Sequence, residues 1–218
     1  MNISDIESFL DSPNPQSRMR AITELRNHDS AVVVPLLKRR MYDQQFLIRS
    51  FVAMGLGYKQ NKESFAALLN MIERETDPNV IAEAANSLSK FGPQSLPHLV
   101  KLFEEQPHWL IRQSIFATFE DLDAPDVLLE MCRSGLKDED VTVKLAAIAN
   151  LGRLKETAKS REALNLLIQT TADSNGLVRA RTARVLKTFE DASAQSALAE
   201  LQKDSDYRVV RVLLENLI

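Results

Sequence analysis

The chain has 218 residues, 26% of them charged and 6% aromatic, with 6 Gly and 8 Pro. That composition excludes collagen-like, low-complexity and generally disordered chains. Lys and Arg number 27 against 30 Asp and Glu, a formal charge of −3, so there is no global cationic field to hold nucleic acid.

Taken from the N-terminus, the predicted elements arrive in helical pairs. Ser4 to Leu10 reads as a short, polar first helix, suited to cap an array. Its partner follows Asn14 and carries "SRMRAITEL", with Arg18 in a polar slot and Leu25 seven places on. The second pair opens with an apolar face of Val34, Leu37 and Met41, then "LIRSFVAMGL", with Gln45 before the helix, Arg49 in the slot and Leu56 behind it. In the third, Phe65, Leu68, Leu69 and Ile72 precede Asp77-Pro78, where proline suits a first helical turn, and "NVIAEAANSL" puts Ile81 in the slot. The fourth, "LIRQSIFATF", follows His108 with Arg112 in the slot and Phe119 behind it. "TVKLAAIANL" places Lys144 after Asp140, and "LVRARTARVL" places Arg179 after Asn175. "RVVRVLLENL" closes the series with Asp206, Val210 and Leu217.

Spacings between slots are 31, 32, 31, 32, 35 and 31 residues, a period that marks a repeat architecture. The fold expected is an all-α superhelix of about seven helical pairs, one elongated solenoid domain over residues 1–218. Asn14, Asp77, Asp140, Asn175 and Asp206 are the expected caps of the second helices. Ala21, Ala53, Ala84, Ala85, Ala147 and Ala183 let neighbouring helices approach closely, whereas Ile115 and Phe116 make the fourth layer bulkier. Gly57, Gly92 and Gly152 are expected to release helix ends into turns. The 35-residue spacing marks an enlarged connection around Lys155–Ala158. No polar cap follows Ile218, which leaves a C-terminal partner contact and loose terminal packing both open.

The longest apolar runs, such as Val32–Val34, are too short to span a bilayer. Met1–Asp5 lacks the basic region and apolar run of a secretory signal, and a lone Cys132 makes no internal disulfide. A soluble, cytoplasmic protein without membrane insertion is expected. His28, His98 and His108 show no metal-ligand spacing, Cys132 reads as a small core residue, and the isolated Gly55-Leu56-Gly57 is no phosphate loop. Catalytic and metal residues are therefore assigned to none.

The passages "LIRSFVAMGLG", "NVIAEAANSL" and "VTVKLAAIANLGRL" resemble HEAT repeats, and the short period is most similar to the phycobilin-lyase-like subgroup, over essentially the whole chain. The resemblance implies a cyanobacterial source and one of two roles. The first is a non-catalytic adaptor in assembly or turnover of pigment-proteins or cofactors, partnered by a phycobiliprotein, a lyase-like subunit or a cofactor-assembly protein. The second is a bilin lyase or bilin-handling protein, with phycocyanobilin as the ligand.

Solenoids commonly line a concave face with their second helices. Arg20, Phe51, Met54, Glu83, Ser114, Arg181, Arg184 and Arg211 fall on that expected face. Phe51, Met54 and Tyr58 form a candidate apolar patch for a pigment, with inter-repeat core as the ordinary alternative. Arg181, Arg184 and Lys187 share a helix face suited to a partner carboxylate or a bilin propionate, or to plain solvation. Arg20, Glu83 and Arg211 complete the partner-binding candidates. Trp109 offers a stacking surface with Arg112 supplying charge, although Arg112 occupies a slot that repeats as Arg18, Arg49, Lys144 and Arg179. A residue copied in this way fits an inter-repeat ladder with the acids before each helix. Nucleic acid is not expected as a partner, because the basic stripe from Arg179 to Lys187 is short and other repeats do not continue it.

Overall fold

In the computed structural model, which describes residues 1–215, the chain is all-α, and no strand occurs among the described residues. The helices are α1 (Ile3–Leu10), α2 (Pro15–Glu24), α3 (Ser30–Lys38), α4 (Phe46–Tyr58), α5 (Lys62–Arg74), α6 (Pro78–Ser89) and α7 (Leu96–Glu105). They continue as α8 (Trp109–Thr118), α9 (Pro125–Gly135), α10 (Val141–Arg153), α11 (Ser160–Thr170), α12 (Gly176–Leu186), α13 (Ala192–Leu201) and α14 (Tyr207–Leu214). The chain divides into two compact units, Met1–Asp123 and Ala124–Ile218. In the first, α2, α4, α6 and α8 pack successively in one row, each paired with the odd-numbered helix before it. In the second, α10, α12 and α14 form the row and α9, α11 and α13 are their partners. Each unit is thus a helix-pair solenoid.

The repeat register explains this packing. The residue just before the slot is buried in six of the seven repeats, as Ile48, Val80, Ile111, Val143, Val178 and Val209. So is the residue seven beyond it, from Leu25 through Leu56, Leu88, Phe119 and Leu151 to Leu186. These two positions lie on one helix stripe, and each fully buried leucine contributes about 1.5–3 kcal/mol. Leu217, the seventh member, lies outside the described residues.

Ala21, Ala53, Ala84, Ala85, Ala147 and Ala183 are all fully buried, as close helix approach requires. In the fourth pair Ile115 and Phe116 take their place, and Phe116 meets Phe103 edge-on at 5.1 Å. The long connection resolves into a 3-10 turn, Leu154–Glu156, ahead of α11. Cys132 is buried on α9, and burial pushes its thiol pKa up.

Asn14, Asp77, Asp140, Asn175 and Asp206 each accept the backbone amide two residues on, satisfying a donor the helix leaves open. His108 does the same through Nδ1, at 3.2 Å from Leu110 N. Gln45 occupies the cap position of α4 without a side-chain cap bond. The turn role expected of the glycines holds at Gly92, whose φ of 73° is left-handed. It fails at Gly57 and Gly152, which lie inside α4 and α10. A Cβ at Gly57 would stand 2.6 Å from Ser87 Cβ, and one at Gly152 would stand 2.8 Å from Val185 Cγ1. These two glycines admit a neighbouring helix; they do not end their own.

Candidate functional site

The slot cations are committed to the joints between repeats. Arg18 makes a two-pronged pair with Asp43, Nε to Oδ2 at 2.7 Å and Nη2 to Oδ1 at 2.9 Å, and gives Nη1 to the carbonyls of Ser12 and Pro13. Arg49 holds Glu75 at 2.6 and 3.0 Å and donates to the Asp43 carbonyl. Arg179 holds Asp204 at 2.7 and 2.8 Å and donates to the Asp173 carbonyl. Lys144 reaches Asp173 at 3.5 Å. A planar guanidinium fork matches a carboxylate in this way, which an ammonium does not.

Each acid does a second job. Asp43, Glu75, Asp173 and Asp204 stand two residues before the cap of the next second helix, and each accepts that cap residue's amide. One carboxylate therefore fixes a link and ties it to the repeat before. Burial alone would push the Asp43 and Glu75 carboxyls up. The hydrogen bonds from Arg18 and Arg49, aided by backbone amides, reverse this and hold both below the usual carboxylate range. Asp204 is held low chiefly by Arg179. The third repeat omits both partners together, with buried Ile81 in the slot and Gln106 in the acid's place. No charge is left unmatched there.

Arg112 follows the joint pattern. Its Nε donates to the carbonyls of Phe103 at 3.1 Å and Gln106 at 2.9 Å, and its guanidinium lies 5.1 Å from the Phe103 ring. Trp109, at the first position of α8, is 42% exposed and stacks on its neighbour His108. The other apolar candidates stand on α4: Phe51 and Met54 are half-buried, and Tyr58 is exposed with Lys90 Nζ 4.0 Å from its ring centroid. Since α6 packs between α4 and α8, the structure does not gather these residues on one helix pair. Arg20 is exposed on α2. Glu83 is half-buried on α6, where burial raises its pKa and Ser87 donates to it.

The second unit does bring candidates together. Arg181 and Arg184 of α12 and Arg211 of α14 line one groove of about 490 Å³. Lys187 lies beside it, with its ammonium given to the Val212 carbonyl at 2.9 Å. Leu177, Tyr207 and Arg208 also line the groove and were missed by the sequence reading. Their signal was available, because Leu177 stands four residues before Arg181 and Tyr207 four before Arg211, the spacing that shares a helix face. Tyr207 is 75% exposed and Leu177 43%. Arg184 and Arg211 share Glu215, at 3.2 and 3.8 Å. Arg208 closes on its own helix cap, Asp206, at 2.6 Å and holds that carboxyl at about 2. Arg181 makes no hydrogen bond or ion pair with the described residues, and its Nε is shut off from solvent.

A wider depression of about 930 Å³ between α11 and α13 is lined by serines and by the Arg179–Asp204 pair, whose charges are already matched. Among the described residues no group of three or more His, Cys, Asp or Glu is placed to hold a metal ion, and no helix is long and apolar enough to cross a membrane.

No curated protein matches the sequence. YibA of Escherichia coli is similar in structure, with a TM-score of 0.65 at 18% identity over 97% of this chain and 80% of that one. The complex of CpcE and CpcF of phycocyanin lyase from Nostoc sp. PCC7120 is similar with a TM-score of 0.56 at 19% identity, over 100% of this chain and 95% of that one. At such identities the likeness is one of fold. The family described as HEAT repeats matches residues 35–119 and 123–218, most of the sequence. The chain belongs to the HEAT-repeat family.

Proposed function

We propose that this chain is a non-catalytic protein-binding scaffold acting in the assembly or turnover of pigment-proteins or cofactor-bearing proteins. The observation that carries the binding role is the α12–α14 groove, where arginines and exposed apolar side chains converge without serving the repeat. Cations at the joints are matched by acids; those in the groove outnumber theirs. Such a surface meets the pattern of recognition sites, in which Tyr and Arg anchors do most of the work. The pigment assignment rests on the sequence resemblance to phycobilin-lyase-like proteins and on the likeness to the named phycocyanin-lyase complex.

The test is binding of the purified chain to apo-phycocyanin and to other partners recovered from a cyanobacterial lysate, with and without phycocyanobilin. The scaffold reading expects direct, saturable binding to at least one purified protein and no covalent transfer of pigment. Failure of every purified candidate to bind would sink it. Transfer of phycocyanobilin to apo-phycocyanin, with or without a second subunit, would replace it with a lyase.

A further inference from the structure

Resting on that scaffold reading, we infer that the α12–α14 groove docks an extended acidic segment of the partner protein, with an apolar residue followed two places later by Asp or Glu.

The geometry sets both parts of this pattern. Leu177 and Tyr207 form an exposed apolar mouth at the N-terminal ends of α12 and α14. Arg181 and Arg211 follow each of them by one helical turn. Four residues of helix advance about 6 Å, close to the roughly 6.6 Å between residues i and i+2 of an extended strand. A side chain lodged at the mouth therefore places the second residue onward beside Arg181 and Arg211. One turn farther, Arg184 and Glu215 close the groove.

Charge decides what that second residue is. Four guanidiniums line the groove against one carboxylate, Glu215, with Asp206 beside it at the start of α14. Arg208 is matched by Asp206, while Arg184 and Arg211 divide Glu215 between them. Arg181, which lines the groove, has no acceptor among the described residues: its Nε is shielded from solvent, and its terminal nitrogens are the donors open to an incoming acceptor. A carboxylate supplies it in charge-assisted form. Glu215, meanwhile, is an internal competitor that an incoming acid displaces.

The surroundings favour a peptide over a polynucleotide. At the position equivalent to Arg181 the other second helices carry Arg20, Phe51, Glu83, Ser114, Ala146 and Val212, so a basic residue does not recur there with the repeat. The net charge of −3 opposes long polyanions as well.

Fluorescence anisotropy on the full chain at low salt tests the inference. The probe is a fluorescein-labelled peptide Gly-Phe-Thr-Asp-Ser-Glu-Gly, and the controls are its Asn/Gln counterpart and a counterpart with Ser for Phe. We expect the acidic peptide to bind about tenfold tighter than either control. Arg181→Met should weaken it about tenfold, and Glu215→Gln should strengthen it about threefold. Circular dichroism confirms that each variant is folded. Equal binding of the acidic and neutral peptides, or indifference to Arg181→Met, would overturn the proposal. So would tighter competition by single-stranded oligo-dT or by phycocyanobilin. If the peptide fails while purified partner proteins still bind, only the groove assignment falls; if both fail, the scaffold reading falls with it.

Discussion

Arg179 and Arg181 stand two residues apart on α12 yet belong to different regions of the molecule. Arg179 faces the joint between repeats, where it holds Asp204 with two bonds and a link carbonyl with a third. Arg181 faces the groove and has no partner among the described residues. The same contrast separates the joints of each unit, with pairs at Arg18 and Arg49 in the first and at Arg179 in the second, from the solvent face of α12 and α14. A cation that recurs with the repeat is part of how the repeat is built. One that breaks the recurrence is available for recognition.

The most damaging way to break the comparison is at the most buried joint. The Arg18 and Asp43 side chains are only 10% and 3% exposed, so Arg18→Ile strands a buried carboxylate and should cost ~3–5 kcal/mol in urea unfolding. Adding Asp43→Gln recreates the natural Ile81–Gln106 combination and should recover most of that loss. Failure of the second change to rescue the first would mean that the joint charges are not a self-contained pair.

Next in size is a change that leaves every charge in place. Ala84→Phe overpacks a fully buried contact of α6 and should cost ~1–3 kcal/mol in the same assay. A neutral result would show that the row of second helices tolerates a bulky layer anywhere, as it does at Phe116.

The heptad-like stripe, the caps and the alanine contacts were legible in the sequence because each repeats in register, and the joint ladder was foreseeable for the same reason. Gly57 and Gly152 were misjudged because a glycine near a helix end looks the same whether it serves a turn or a neighbour such as Ser87 or Val185. The groove was legible only by half. Arg181, Arg184 and Arg211 stood out as cations, whereas Leu177, Tyr207 and Arg208 become part of it only when α12 and α14 lie side by side. Trp109 and the Phe51–Tyr58 patch attracted notice by residue type, which says nothing about the helix that packs between them.

Acid sharpens the comparison more gently. Asp43, Glu75 and Asp204 have folded-state pKa values below those of the unfolded chain. Their contribution is fully present above the ordinary carboxylate pKa of about 4 and is lost as pH falls through the depressed folded values. Urea midpoints between pH 7 and pH 3 should therefore fall, and should fall less steeply in the Arg18→Ile/Asp43→Gln variant. Identical slopes would place the acid sensitivity elsewhere.

The smallest stability effect belongs to the groove, and it supplies the most direct test. Arg179→Met and Arg181→Met make the same chemical change on the same helix, two residues apart, and their urea unfolding can be measured side by side. Arg179→Met should lose at least ~2 kcal/mol by stranding Asp204, while Arg181→Met should stay within ~0.5 kcal/mol of the parent. Equal losses, or the larger loss at Arg181, would contradict the division between joint and groove.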